Sequence, residues 1–264
     1  MAAVHRDDVN SWELYYDANV RGAQNVCDLA RERKVKTIVF TSSVAIYGFA
    51  APGTDEEGAP NYFNDYGKSK FLAEQVYKEW QAEDPHGRTL VIIRPTVIFG
   101  EGNRGNVYNL LNQIRSRRFI MIGRGENTKS MAYVGNVSHF IKHCLSKPPG
   151  LHIYNYTDVP DMSMNTLVGL ARERFFGLKG AGLRVPLFVG LVVGRCFDFF
   201  SSVVGTSLPI SSIRVQKFTS TTSFSSEKMQ LEFNPPFDMT EAIKGTIEYE
   251  FFTDNSNRPS FDAE

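Results

Sequence analysis

Apolar positions fall into two alternating rhythms along the first part of the chain. Over residues 10–34, Leu14, Ala18, Val26, Leu29 and Ala30 recur at helical spacing, with Asn10 as cap and Glu13 placed to reach back to it. Residues 36–41 (KTIVFT) are instead a short β-branched run and predict a buried strand. A loop punctuated by prolines and glycines covers residues 48–60. The helical rhythm returns over 65–84, with Phe71, Leu72, Val76 and Trp80 on one face, and residues 89–93 (TLVII) form a second unbroken apolar run. Strands this apolar, separated by helices, predict a parallel sheet covered on both faces. Right-handed crossovers make of it one half of a doubly wound α/β sheet.

Beyond Gly100 the pattern loosens. It predicts helices over 106–117 and 136–145 and short strands over 119–122, 131–134 and 152–156. The final third is mostly helical, broken by a Ser/Thr-rich stretch at 211–226. The division expected is residues 1–100 as a sheet domain with the chemistry and 101–264 as mainly a smaller, mostly helical substrate-binding subdomain, with about 136–156 returning to the sheet. Residues 183–204 are the most apolar segment, but Arg184, Arg195 and Asp198 interrupt them. A membrane-spanning helix needs about 20 apolar residues. A buried helix pair is the reading here, and a segment lying on a bilayer surface is the alternative.

Composition narrows the function classes. The 264 residues carry 29 basic and 29 acidic side chains, which argues for neither nucleic acid nor an acidic partner. Cys27, Cys144 and Cys196 are far apart, and the histidines show no ligand spacing. A reducing cytosol and no metal site are expected. The polar start of the chain, MAAVHRDD, does not read as a secretory leader.

The candidate chemistry is a Tyr-x-x-x-Lys pair, Tyr66 and Lys70, in YGKSK, downstream of Thr41-Ser42-Ser43. One helical turn puts both side chains on one face. A free tyrosine ionises near pH ~10. A neighbouring ammonium favours phenolate, so Tyr66 can serve as a general base near neutrality. Ser43, at the C-terminal tip of a strand, can hold the same substrate oxygen, where open α/β sheets place their ligand crevice.

The segments TSSVAIYG, YGKSK and IIRPTVIFG together resemble the extended short-chain dehydrogenase/reductases, a family of nucleotide-sugar epimerases, dehydratases and reductases with a Rossmann-type fold. The resemblance implies bound NAD. It makes Ser43, Tyr66, Lys70 and Asn19 catalytic, with Lys70 holding the nicotinamide ribose and Asn19 supporting a water-linked proton path. It assigns NAD contacts to Ala2, Ala3, Thr41, Ser42, Tyr66, Lys70, Arg94 and Pro95. Substrate contacts fall to Ser43, Val97, Asn106, Val107, Met121 and Lys129, the lysine standing where an arginine usually meets the diphosphate. A narrower resemblance, carried by AAVHRDDV, FGEGNRGNVYNLLNQI, KSMAYVGNV and IYNYTDVPDMSMNTLV, is to the bacterial undecaprenyl-diphospho-N-acetylglucosamine 4-epimerases. It implies C4 epimerisation of an N-acetylhexosamine diphosphate, on undecaprenyl diphosphate or on UDP, through a transient 4-keto sugar in O-antigen synthesis. It implies a cytoplasmic homodimer in peripheral membrane contact through 183–204.

Residues 100–105 (GEGNRG) fit the dinucleotide fingerprint GxGxxG, yet no acidic residue ends a second strand about 20 positions on, so the turn is read as part of the substrate site. The family's own glycine-rich turn and first three strands would precede Met1. The expectation is a sheet with residues 36–41 at its edge and weak or no NAD binding by this chain alone. Two alternatives stay open: a nucleotide-sugar dehydrogenase or reductase that releases its reduced cofactor, and a truncated non-catalytic remnant.

Overall fold

A computed structural model describes residues 12–204 and 212–254, so the expected cap at Asn10 and the NAD contacts at Ala2 and Ala3 lie outside the described residues. The first helix is α1 (Glu13–Tyr15), which runs through a π-helical stretch, Tyr16–Arg21, into α2 (Gly22–Glu32). Its buried residues are Tyr15, Asn19, Ala23, Cys27 and Ala30. Of the apolar positions that predict the helix, Leu14, Val26 and Leu29 are exposed. The π stretch winds more residues per turn than an α-helix and keeps Tyr15, Asn19 and Ala23 in line against the protein.

β1 (Thr37–Thr41) is followed by a 3₁₀ turn, Val44–Tyr47. α3 (Asp65–Ala82) starts at the cap residue Asn64, whose side chain accepts a hydrogen bond from the Gly67 N–H. Its buried face carries Ser69, Lys70, Ala73, Glu74, Tyr77 and Trp80. Of the face expected from the sequence only Trp80 lies there; Phe71, Leu72 and Val76 are half-buried. Charged side chains turn inward only where they find partners, and both Lys70 and Glu74 do, as described below.

β2 (Thr89–Pro95) is buried along its whole length. There follow β3 (Val97–Phe99), α4 (Asn106–Arg115), β4 (Met121–Ile122), β5 (Thr128–Tyr133), α5 (Val134–Cys144), β6 (Gly150–Tyr156), β7 (Asp158–Ser163) and α6 (Met164–Phe176). The chain continues through β8 (Arg184–Val185), α7 (Leu187–Val204), α8 (Ser212–Thr219), α9 (Glu227–Gln230) and α10 (Met239–Phe251).

The main sheet has the order β1–β2–β6, all parallel, with Thr41 beside Ile93 and Arg94 beside Asn155. Leu90 and Ile92 of β2 pack against Ala23, Cys27, Ala73, Tyr77 and Trp80 of α2 and α3. Val91 and Ile93 face the other way, onto Val137, Phe140 and Cys144 of α5. Two covered faces explain why β2 reads as an unbroken apolar run. Truncating one of these side chains to alanine costs about 2–5 kcal/mol. Among the described strands β1 has a partner on one side only, as an edge strand does.

A second sheet, β3–β5–β7, and a third core built from α4, α6 and α10 lie downstream. β7 is absent from the sequence expectation, and β5 begins three residues earlier than expected, at Thr128. Neither stretch shows an apolar pattern. They pair antiparallel, Thr128 with Ser163 and Lys129 with Met162, and Asp161 accepts from Ser130. Residues 183–204 are not a buried helix pair. They contribute the single helix α7, whose Leu187, Phe188, Val192 and Val193 are exposed, with Leu183 before it. No helix among the described residues is long and apolar enough to cross a membrane.

Candidate active site

The candidate site is built at the C-terminal tip of β1, where open α/β sheets hold their ligands. Ser43 is extended and its Oγ accepts a hydrogen bond from the Ala45 N–H at 3.1 Å, which starts the 3₁₀ turn and leaves the hydroxyl proton for a substrate oxygen. The first turn of α3 comes down on this 3₁₀ turn. A Cβ at Gly67 would stand 2.5 Å from the Ala45 carbonyl oxygen, so only glycine allows the approach that sets Tyr66 against the Ser43 turn. Tyr66 is half-buried, its ring 6.4 Å from that of Tyr15.

Lys70 reaches the same strand tip. Its Nζ donates to the Thr41 carbonyl at 3.0 Å and stands 5.1 Å from the centre of the Phe40 ring. Burial pushes its pKa down to about 8, with the Glu74 carboxylate opposing the shift. Ser42 continues the strand, its N–H donating to Ile93 at 2.7 Å. The Ser42 hydroxyl is buried and has no hydrogen-bond partner among the described residues. Asn19 joins from the π stretch: its Nδ2 donates to Ser69 Oγ at 2.9 Å, and that hydroxyl donates to the Tyr66 carbonyl at 2.9 Å. The structure thus gathers Asn19, Thr41, Ser42, Ser43, Tyr66 and Lys70 at one edge.

Arg94 departs from the expectation in direction. Its guanidinium is 4 % exposed and is taken up by Glu74 and the Tyr47 hydroxyl, because a buried cation needs a buried counter-charge. Pro95, the next residue, is buried as well.

The expected substrate residues form a second group around β3, α4 and β5. Val97 is exposed at the start of β3, and Asn106 is the exposed first residue of α4. Val107 and Met121 put their side chains into the third core, which leaves their backbone for contacts. Lys129 is half-buried. Its Nζ donates to the Ser220 carbonyl at 2.6 Å and to Thr222 Oγ1 at 3.2 Å, and burial pushes its pKa down to about 8. The glycine turn is docked on α10: the Gly102 N–H donates to Glu250 Oε1 at 2.7 Å. Glu101 accepts from the Tyr133 hydroxyl at 2.9 Å. Arg104, in the same turn, lies 3.8 Å from Glu250, and α4 begins just beyond it at Asn106 and Val107.

Sequence reasoning passed over Glu74, Tyr47, Ser69 and Asn155. The signal was an acid on the inward face of α3, one turn beyond Lys70. Among the described residues no cluster of histidine, cysteine, aspartate or glutamate is placed to hold a metal.

A phenol and a buried ammonium at the C-terminal tip of a parallel strand define a class: Rossmann-like proteins that work on a ligand in the crevice at the strand ends. The model of the NAD dependent epimerase/dehydratase family matches residues 2–156, and the chain belongs to that family. It is 47% identical over 253 residues to the N-acetyl-alpha-D-glucosaminyl-diphospho-ditrans,octacis-undecaprenol 4-epimerase of Escherichia coli O157:H7, a match covering 95% of this chain and 76% of that enzyme. Among solved structures it resembles the UDP-glucose 4-epimerase of Thermotoga maritima, solved with UDP-glucose (TM-score 0.70, 18% identity, covering 94% of this chain and 75% of that one). It also resembles the UDP-glucuronic acid 4-epimerase of Bacillus cereus, solved with UDP-glucuronic acid and NAD (TM-score 0.69, 16% identity, covering 94% and 73%). The likeness to these structures shows the fold.

Proposed function

We propose that the chain is an NAD-dependent sugar 4-epimerase that interconverts N-acetylglucosamine and N-acetylgalactosamine on undecaprenyl diphosphate. The observation that carries the reading is the meeting of Lys70 with the strand tip that leads into Ser43, on the helix face that also bears Tyr66. The likeness to the lipid-linked 4-epimerase, which runs over nearly the whole chain, supports the substrate.

The residues present fit the nicotinamide cofactor. An orphaned buried hydroxyl at Ser42 and a buried ammonium at Lys70 stand where a polar ligand can satisfy both. Thr41, Ser42, Tyr66, Lys70 and Pro95 would hold it. When bound, NAD supplies a two-electron acceptor and donor at the sugar carbinol. The chain's own residues do the rest. Ser43 donates to the C4 oxygen and fixes it in line. Tyr66 takes the C4 hydroxyl proton as the carbinol becomes a ketone and returns it when the ketone is reduced. The Lys70 ammonium stabilises the phenolate. The Asn19–Ser69 bridge anchors the backbone of Tyr66. The start of α4 and Lys129 take the diphosphate.

Two surfaces suit the partners of such an enzyme. Leu183, Phe188, Val192 and Val193 leave an apolar face on and before α7, and Arg184 and Arg195 stand exposed within it. That combination suits peripheral contact with an anionic bilayer, where the lipid carrier resides. Leu14, Val26 and Leu29 give the first helix an outward apolar face, which a second copy of the chain would cover.

The assay uses N-acetylglucosaminyl-diphospho-undecaprenol and UDP-N-acetylglucosamine side by side, with NAD in large excess because weak binding is expected of this chain alone. Turnover of the lipid-linked sugar is expected, with no stoichiometric NADH at 340 nm. Tyr66→Phe is expected to fold and to lose turnover by ~10³-fold or more; full turnover by that variant would end the assignment. Serine at Phe188 and Val192 is expected to release the chain from phosphatidylglycerol vesicles in a pelleting assay, and unchanged pelleting would remove the membrane contact.

A further inference from the structure

Behind the tip of β1 runs a buried polar chain. Glu74, one helical turn beyond Lys70, is fully buried and grips Arg94 with both oxygens: Nε donates to Oε1 at 2.9 Å and Nη2 to Oε2 at 2.7 Å. Nη1 of Arg94 donates to the Tyr47 hydroxyl at 2.6 Å and to the Glu56 carbonyl at 3.1 Å. Tyr47, 1 % exposed, passes its proton side to Asn155 Oδ1 at 2.8 Å. Asn155 closes the chain, donating from its backbone N–H to Glu56 Oε1 at 2.7 Å. Lys78 at 3.8 Å, nearer to solvent, and Lys70 also face Glu74.

We propose that Glu74, Arg94 and Tyr47 are positioning residues of the epimerisation, which hold α3, with Tyr66 and Lys70, in fixed register with the Ser43 turn across the central strand. The inference rests on the function proposed above. A buried ion pair is a poor device for stability alone, since a well-packed apolar pair of similar volume often does as well. A two-pronged guanidinium–carboxylate contact fixes distance and angle together. Its two ends reach the two elements that must meet. Glu74 lies on the buried face of α3 with Lys70, and Tyr47 is the last residue of the turn that Ser43 caps. The guanidinium also lies 5.3 Å from the centre of the Tyr47 ring, so the ring cannot slide without losing both contacts. Displacing a reacting group by about 1 Å costs ~10²-fold in rate. Glu74 has a second effect, since its charge favours the ammonium form of Lys70 against burial.

The test compares Tyr47→Phe, Glu74→Gln and the apolar pair Glu74→Met with Arg94→Met. Two readouts are taken: kcat and KM for N-acetylglucosaminyl-diphospho-undecaprenol, and the pH dependence of Lys70 acetylation by acetic anhydride, followed by mass spectrometry. Tyr47→Phe keeps the ring and is expected to lower kcat ~10-fold at unchanged KM. Glu74→Gln is expected to lower kcat ~10²-fold and to move the Lys70 labelling curve to lower pH. The double variant is expected to melt near the wild type and still to lose kcat. A folded double variant with wild-type kcat, or a Glu74→Gln chain with an unmoved labelling curve, would overturn the proposal. If the charge-changing variants do not fold, unchanged kcat in Tyr47→Phe overturns it alone. If the wild type itself shows no turnover, the epimerase reading fails separately, and the labelling curve still decides the role of Glu74.

Discussion

Lys70 and Lys129 are the same group under the same pressure in the two parts of the molecule. Burial pushes each down to about 8. Lys70 sits on a helix held against the main sheet, donates to Thr41 and stands over Phe40, with the Glu74 carboxylate opposing its shift. Lys129 sits on a strand of the second sheet and donates to a carbonyl and a hydroxyl, and burial lowers its pKa. On the function proposed above, the two desolvated cations have different uses. Lys70, which shares a helix face with a phenol and has a carboxylate behind it, would act on the chemistry. Lys129 would gain from the arrival of an anion and so act on binding.

The largest break in the comparison is Lys70→Met. Turnover is expected to fall ~10³-fold, because the phenolate of Tyr66 loses its counter-charge. Stability is expected to move the other way. The folded pKa lies below the unfolded one, so below pH 8 the ammonium is present in both states and the folded state carries the full cost of burying it. At ~1.4 kcal/mol per pKa unit that cost is on the order of 3 kcal/mol, before the Thr41 hydrogen bond is offset against it. Between about 8 and 10.5 the folded state alone sheds the proton, and the cost fades. Melting of the wild type should therefore rise with pH through that window. Lys70→Met should melt higher at pH 7, with a flatter rise. A variant that melts lower at every pH would mean that the Thr41 contact outweighs the burial.

Lys129→Met is the middle case. KM for the lipid-linked sugar diphosphate is expected to rise ~10-fold with kcat within about twofold of wild type, the pattern of a group that binds substrate and transition state alike. A fall in kcat equal to that of Lys70→Met would erase the distinction between the two lysines.

What the sequence makes legible follows the same division. β2 announces itself because both its faces are covered, and a strand buried on both sides needs an apolar side chain at nearly every position; β1, expected to be buried, is legible from its β-branched run but only Ile38 is buried in it. The Tyr66, Lys70 and Ser43 spacing is legible because one turn of helix and one strand tip suffice to describe it. The inward face of α3 is not, since Lys70 and Glu74 violate the apolar-inside rule and turn inward only to meet Thr41 and Arg94, both distant in sequence. Arg94 reads as a cofactor contact by resemblance, and nothing local shows that it turns to Glu74. The first helix misleads in the opposite sense: its outward apolar side, Leu14, Val26 and Leu29, is as regular as the side that packs. β7 is invisible because its pairing with β5 depends on backbone and on Ser130 with Asp161, not on an apolar pattern.

The smallest effect sharpens the contrast most. Burial pushes both lysines down to about 8, so a profile of kcat/KM is expected to show one merged limb. The separate parameters divide it. An anion favours the charged form of Lys129, so a diphosphate binds best below pH 8, and KM should climb a few-fold above it as the free chain loses that proton. Arginine stays charged throughout this range. Lys129→Arg should therefore flatten the alkaline rise of KM while the alkaline limb of kcat, expected from Lys70 on the proposed function, stays in place. Measuring both parameters from pH 7 to 10 decides it. A KM that climbs equally in wild type and Lys129→Arg would place the diphosphate away from β5 and leave Lys129 as a stitch between β5 and the segment through Ser220 and Thr222.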